Sequence, residues 1–129
     1  LRTSIIGHSK IDKSGLLEWF LNQKKPVKGY SNAFFSGFST LELSIILHDN
    51  IIKNNNFQCG IFHLSSKKIS KFVLLNKINK LYKKNIEISK YDRFKIDRSL
   101  KSELLKKSIK YKVKSWDKML LEMKKFNDQ

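Results

Sequence analysis

Arg98 is the residue of this sequence whose type and setting best fit ligand chemistry. It lies in the segment Ile96–Leu100, between Asp97 and Ser99, two residues that can form hydrogen bonds. Only three of the 27 basic residues are arginines, and a guanidinium can engage two phosphate oxygens at once. The setting predicts a phosphate-binding arginine, although a surface arginine paired with Asp97 explains it equally well.

The other titratable side chains show no catalytic or metal-binding spacing. Asp92 and Asp97 flank one segment, but a general acid–base pair needs a defined geometry between two carboxyls. A single cysteine, Cys59, excludes an internal disulfide and a cysteine zinc site, and we expect it to be a small buried strand residue. The three histidines form no metal motif: His8, His48 and His63. We therefore expect no metal site and no catalytic residue in this chain.

The sequence contains no glycine-rich nucleotide loop. Neither G-x-G-x-x-G nor G-x-x-x-x-G-K-[ST] occurs among its five glycines, and the backbone amides of such loops hold pyrophosphate. We therefore expect that the chain alone binds no NAD(P). Tyr91 and Lys95 have Tyr-x-x-x-Lys spacing, which we interpret as a coincidence because they follow an alternating strand pattern.

The formal net charge of +16 leaves a nucleic-acid partner as an alternative. The lysines are spread along the chain, and isoleucine and asparagine are also abundant. This composition is typical of a coding bias towards A/T-rich codons, whereas base readout favours bidentate arginine. A nucleic-acid-binding domain needs charge clustered on one face together with exposed aromatic rings. We do not favour a nucleic-acid partner on this evidence.

Alternating strand and helix patterns predict one α/β unit over residues 1–129. The expected strands cover 1–6, 27–30, 33–38, 59–64 and 86–91, and the expected helices cover about 14–24, 39–53, 70–84 and 115–126. Serines at four helix starts are predicted N-caps: Ser14, Ser39, Ser70 and Ser115. Residues 54–56 are expected to form a loop, and residues 92–114 to be irregular apart from one turn near Leu104.

The first residues resemble the middle of a domain. Leu1–Gly7 has the pattern of a buried strand that runs into a glycine turn, without an initiator methionine. We interpret this as a larger domain cut before its last strands. No apolar run approaches the roughly 18 residues of a membrane span, and no signal peptide is visible, so we expect a cytoplasmic protein without a membrane partner.

Five segments occur in an order that resembles the C-terminal half of extended short-chain dehydrogenases/reductases. They are Arg2–Gly7, Gly29–Gly37, His63–Ser66, Asp97–Leu100 and Ser115–Trp116. Among these enzymes the sequence is most similar to the dTDP-4-dehydrorhamnose-reductase-like nucleotide-sugar group, over about residues 1–124. The resemblance implies the last sheet strands of a Rossmann-like fold, plus a small lobe that closes over a nucleotide diphosphate sugar.

The resemblance also implies a division of labour between two halves of a longer protein. The N-terminal dinucleotide-binding half, absent from this chain, would bind NADP or NAD and supply the catalytic Tyr-x-x-x-Lys. This chain would then be the substrate-binding portion of an NAD(P)-dependent nucleotide-sugar reductase or epimerase, with that half and a homodimer mate as partners. The alternatives are a small basic nucleic-acid-associated domain and a non-catalytic partner that completes another chain's sheet.

Site residues follow from the positions that match the family. Arg98 would clamp the substrate phosphates, and the segment around Asn32 would line the diphosphate and sugar. Many relatives place an arginine near Asn32, so we expect weaker or different diphosphate binding from that segment. The substrate-binding residues implied are Arg98, Asn32, Tyr30, Gly29, Ser4 and His8, and the cofactor contacts are Ile5 and Gly7.

Overall fold

Strands and helices alternate through residues 1–9, 11, 14–53 and 59–129, which are the residues that the computed structural model describes. The strands are β1 (Ile5–Ile6), β2 (Val27–Phe35), β3 (Phe38–Ser39), β4 (Ile69–Ser70) and β5 (Ile88–Arg98). The helices are α1 (Leu16–Leu21), α2 (Thr40–Leu47), α3 (Lys71–Leu81), α4 (Glu103–Ser108) and α5 (Trp116–Asn127), and α2 continues as a π-helical turn over His48–Ile52. This mixed architecture confirms the predicted α/β class.

The described strands form two sheets. β1 pairs in parallel with β3, with Ile5 opposite Phe38. β2 is the central strand of the other sheet, antiparallel to β4 and parallel to β5, with Phe35 opposite Arg98. Parallel strands bring their carboxyl ends to one edge of a sheet, so Arg98 lies where β2 and β5 both end.

Serine caps fix the starts of three helices, as predicted. Ser39, Ser70 and Ser115 each accept a hydrogen bond from the backbone N–H three residues on, at 3.2–3.3 Å. The prediction is wrong for the first helix. Its N-cap is Gly15, with φ at 103°, and the helix covers only Leu16–Leu21. Glycine adopts a positive φ at little cost, so the N-cap is Gly15, one residue after the predicted cap Ser14.

Apolar residues three and four positions apart in the sequences of α1, α3 and α5 predict one buried face for each helix. The core contains these faces together with residues of other segments. Its fully buried side chains include Leu17 and Phe20 of α1, Leu74 and Ile78 of α3, Met119 and Leu120 of α5, and Phe38, Leu64 and Leu105. Phe126, which the same spacing in α5 predicts on the buried face, is 63 % exposed. It lies in the last turn of α5, whereas the last core residue of that helix is Met123.

Strand β5 is longer than predicted. Residues 92–98 were expected to be irregular, but they continue the strand because β2 offers a parallel partner along most of its length. This pairing joins residues about 60 positions apart, and local patterns carry no trace of it.

Two other predicted strands are largely replaced by less regular chain. Within 59–64 the pairing is a single bridge from His63 to Arg2, and Cys59 is exposed, so its expected burial is wrong. β1 is only two residues long. Ile6 is buried, whereas Leu1 and Ile5 are 49 % and 58 % exposed. The predicted loop at 54–56 lies outside the described residues.

Candidate functional site

Arg98 is exposed at the end of β5, and the neighbouring carboxylate does not neutralise it. Asp97 binds the ammonium of Lys68 through Oδ2 and accepts the backbone N–H of Ser99 through Oδ1 at 2.9 Å. These contacts, the Lys68 bond foremost, hold the pKa of Asp97 well below its usual range. Among the described residues no carboxylate forms an ion pair with Arg98, so the alternative of an Arg98–Asp97 surface pair is wrong.

The backbone after Arg98 is anchored to the core. The hydroxyl of Ser36 accepts a hydrogen bond from Leu100 N at 2.8 Å. Two residues later, Ser102 is 4 % exposed and accepts a bond from the Tyr111 hydroxyl at 2.8 Å. Because Arg98 itself pairs with Phe35 in the sheet and the chain after it is held at Leu100, its backbone is anchored even though its side chain reaches solvent.

The predicted site residues of β2 lie on opposite faces of the sheet. Gly29 is buried against α3, where a Cβ would lie 2.6 Å from Phe72 Cδ2 and 2.8 Å from Ile88 Cγ2. Tyr30 lies on the other side of the strand, as alternation requires. The three predicted residues of this segment therefore do not line one surface. Gly29 serves close packing, and its substrate contact stays a prediction.

We call the side of the β4–β2–β5 sheet opposite α3 the outer sheet face. Its side chains come from β2 (Lys28, Tyr30, Asn32, Phe34), from β5 (Tyr91, Phe94, Lys95, Asp97) and from Lys68. A cavity of about 480 Å³ on this face is lined by Asn32, Phe34, Lys68, Lys95, Ile96 and Asp97. Arg98 does not line this cavity. Tyr91 and Lys95, which have Tyr-x-x-x-Lys spacing, both lie in strand β5.

Asn32 has a role that the sequence did not indicate. Its amide Nδ2 donates to the backbone carbonyl of Asp92 at 2.9 Å. The register shifts at this point, because Tyr30 pairs with Tyr91 but Asn32 pairs with Lys95. The amide therefore holds a bulge in β5 that projects the following residues, a typical device for re-aiming side chains.

His8 is fixed by hydrogen bonds on both ring nitrogens. Nδ1 lies 2.9 Å from Glu18 Oε1, and Nε2 lies 2.8 Å from the hydroxyl of Tyr82. Burial, helped by the negative charges of Asp128 and Glu18, raises the pKa of Tyr82 to about 12. The phenol therefore stays protonated at neutral pH and can donate to Nε2. A substrate contact from His8 would have to replace one of these bonds.

Titration of Tyr82 is expected to be visible at high pH. Because the folded pKa of about 12 exceeds the usual value of 10, the contribution of Tyr82 to stability is complete below about pH 10 and is lost as the pH rises through 12. Unfolding in urea at several pH values should show that the stability difference between wild type and Tyr82→Phe shrinks across this window. A difference that stays constant from pH 9 to 12 would contradict the assignment.

The remaining predicted residues surround β1. The carbonyl of Ser4 accepts a hydrogen bond from Phe38 N at 3.0 Å, and a Cβ on Gly7 would lie 2.3 Å from Thr40 Oγ1. Ile5 points its side chain to solvent. The structure therefore brings Ser4, Ile5, Gly7 and His8 together, apart from the outer sheet face, and their contacts with substrate and cofactor stay predictions.

Sequence reasoning missed several residues of these surfaces. Phe94 and Lys68 belong to the outer sheet face, yet neither lies in a recognisable motif. Among the described residues no group of three or more His, Cys, Asp or Glu side chains is close enough to hold a metal ion. Within the described helices none has both the length and the apolar character needed to cross a bilayer.

Comparison with known proteins gives a match at the level of structure alone. No protein-family model and no curated protein matches the sequence. The dTDP-4-dehydrorhamnose reductase of Clostridium acetobutylicum superposes with a TM-score of 0.76 at 14 % identity, covering 97 % of this chain and 46 % of its own. The Bacillus anthracis enzyme of the same name, in complex with NADP, gives 0.74 at 12 % identity, covering 97 % and 45 %.

A dTDP-glucose 4,6-dehydratase from Bacillus anthracis, in complex with NAD, also superposes. Its TM-score is 0.65 at 14 % identity, and the match covers 98 % of this chain and 42 % of the enzyme. The chain thus spans less than half the length of these solved structures. The resemblance inferred from the sequence is confirmed for the fold, and the chain has the architecture that these extended short-chain dehydrogenase/reductase enzymes share over somewhat less than half of their length.

Proposed function

We propose that the chain is the substrate-binding portion of an NAD(P)-dependent nucleotide-sugar oxidoreductase and binds a nucleotide diphosphate sugar. The observation that carries the proposal is the correspondence of 97 % of the chain with two dTDP-4-dehydrorhamnose reductases at TM-scores of 0.74 and 0.76. Fold similarity supports the class of protein, and the contacts must be argued from this chain's own residues.

Arg98 is the proposed phosphate contact. It lies at the carboxyl end of two parallel strands, the edge at which open α/β sheets bind their ligands. It is exposed, its backbone is anchored, and Asp97 is engaged by Lys68. A guanidinium in this state can form two charge-assisted hydrogen bonds to a diphosphate.

The dinucleotide and the catalytic tyrosine are proposed to come from a region outside this chain. The exposed side of β1 is the proposed contact for that region, since within the described residues β1 pairs only with β3 and its Ile5 side chain is 58 % exposed. An uncovered apolar strand edge invites pairing with another chain. Dimerisation through this edge, or completion of another chain's sheet, is the competing use of the same surface.

Calorimetric titration of the chain with nucleotide sugars and with NADPH tests the proposal. We expect saturable binding of at least one among dTDP-glucose, UDP-glucose and GDP-mannose, and no saturable binding of NADPH, because the sequence has no glycine-rich loop for the pyrophosphate. Micromolar NADPH binding, or no heat with any of the three nucleotide sugars, would overturn it.

A further inference from the structure

Three aromatic rings form a contiguous cluster on the outer sheet face. The ring of Tyr30 lies 5.5 Å from that of Tyr91 and 5.5 Å from that of Phe94, measured between centroids. Tyr30 is 36 % exposed and Phe94 48 % exposed. We call these three residues the ring cluster. Phe94 reaches it because it lies in the bulge of β5 that Asn32 holds.

Ammonium groups stand beside the rings. Lys28 Nζ lies 5.0 Å from the centroid of Tyr91, and Lys68 Nζ lies 4.4 Å from that of Phe34. Lys95 is opposite Asn32 in the neighbouring strand. Along β2 the outer side chains recur every second residue at spacings of about 7 Å, in the order Lys28, Tyr30, Asn32 and Phe34.

The charge of the face selects among possible occupants. A second copy of this chain would bring Lys28 and Lys95 against the same lysines, and the chain as a whole has a net charge of +16. Of the acidic residues in β5, Asp97 is already bound to Lys68, which leaves Asp92 as the other carboxylate of the strand. An occupant should therefore carry regularly spaced negative charge together with flat rings.

Single-stranded nucleic acid has both features. Its bases stack on aromatic side chains whatever their sequence, and its phosphates follow a basic surface. Lysine offers point charges without the planar fork of arginine, so little base discrimination is expected. We propose that the outer sheet face binds single-stranded nucleic acid with little sequence preference, by stacking bases on the ring cluster and pairing phosphates with Lys28 and Lys95.

This proposal does not depend on the nucleotide-sugar function. Charge clustered with exposed aromatic rings on one face was the condition for the nucleic-acid alternative, and the outer sheet face combines them. Arg98 and the residues around β1 take no part in it. Loss of nucleotide-sugar binding in Arg98→Lys would leave it unaffected, whereas Tyr30 and Asn32, which the resemblance assigns to the sugar substrate, lie on this same face.

Fluorescence anisotropy with a labelled twelve-nucleotide oligo(dT) tests the stacking. We expect the Kd of the double variant Tyr30→Ala/Phe94→Ala to rise about tenfold or more, since each stacked base contributes roughly 1–3 kcal/mol. The matched control is Trp19→Ala/Phe126→Ala, which removes two exposed rings elsewhere, 44 % and 63 % exposed. That control should stay within about twofold of wild type.

Charge reversal tests the phosphate contacts while leaving the rings in place. Lys28→Glu/Lys95→Glu should weaken binding about tenfold more than Lys107→Glu/Lys125→Glu, a pair of exposed lysines with the same change in net charge. Circular dichroism shows whether the ring variant folds. If it does not fold, the comparison of the two lysine pairs still tests whether the outer sheet face binds the oligonucleotide. An abasic strand of equal length should bind about tenfold less tightly than oligo(dT).

Several results would overturn the proposal. They are the absence of oligonucleotide binding, equal binding of the abasic strand, and equal losses in the two lysine pairs. A folded ring variant that binds as wild type would do so too. Binding to phosphatidylserine vesicles but not to the oligonucleotide would assign the face to a membrane surface instead.

Discussion

Replacing Lys114 by methionine is expected to lower the free energy of unfolding by about 3 kcal/mol. The side chain of Glu42 is 4 % exposed in the first turn of α2, and its Oε2 lies 2.7 Å from Lys114 Nζ. The same ammonium lies 2.8 Å from Glu122 Oε2, and these carboxylates, Glu122 first, raise the pKa of Lys114. Without Lys114, the carboxylate of Glu42 stays buried without a counter-charge, which is the costly state.

Urea unfolding followed by circular dichroism measures this loss. The matched control is Lys118→Met. Lys118 is 61 % exposed, and its Nζ lies as far as 4.0 Å from Glu122 Oε1, so its removal should lower the free energy of unfolding by less than about 0.5 kcal/mol. Adding Glu42→Gln to Lys114→Met should recover most of the stability, since it removes the buried charge. If both methionine variants unfold at the same urea concentration, the ion pair contributes nothing measurable.

Glu42 shows how far local sequence reasoning reaches. The N-cap predicted at Ser39 is confirmed by the bond from Glu42 N to the Ser39 hydroxyl. Burial of the Glu42 carboxylate could not be predicted locally, because its partner, Lys114, lies 72 residues further along the chain. Caps and helix stripes were predictable since they depend on residues three or four positions apart.

The candidate site was predictable in part for the same reason. Arg98 stood out by type, but its freedom from Asp97 depends on Lys68, 29 residues upstream. The length of β5 and the bulge held by Asn32 depend on pairing with β2 about 60 residues away. The outer sheet face could therefore not be predicted from the sequence, although Tyr30 on that face was predicted to contact the substrate.

Arg98→Lys is expected to raise the Kd of the chain for its nucleotide sugar about tenfold. Lysine keeps the positive charge but loses the planar fork that engages two phosphate oxygens at once. A charge-assisted hydrogen bond contributes roughly 1.5–3 kcal/mol, so the loss of one gives a change of this size or larger. Arg98 is exposed, so the free energy of unfolding should change by less than about 0.5 kcal/mol.

Calorimetric titration with the nucleotide sugar that wild type binds decides this point. Arg93→Lys is the matched control, because Arg93 is an exposed arginine of the same strand and should leave the Kd within about twofold of wild type. Equal affinities for wild type and Arg98→Lys would remove Arg98 from the site. The phosphates would then have to be held elsewhere. The first residues to replace would be Lys68 and Lys95, the two lysines that line the cavity beside Asn32. If both arginine variants weaken binding equally, the interaction depends on net charge and not on the guanidinium fork of Arg98.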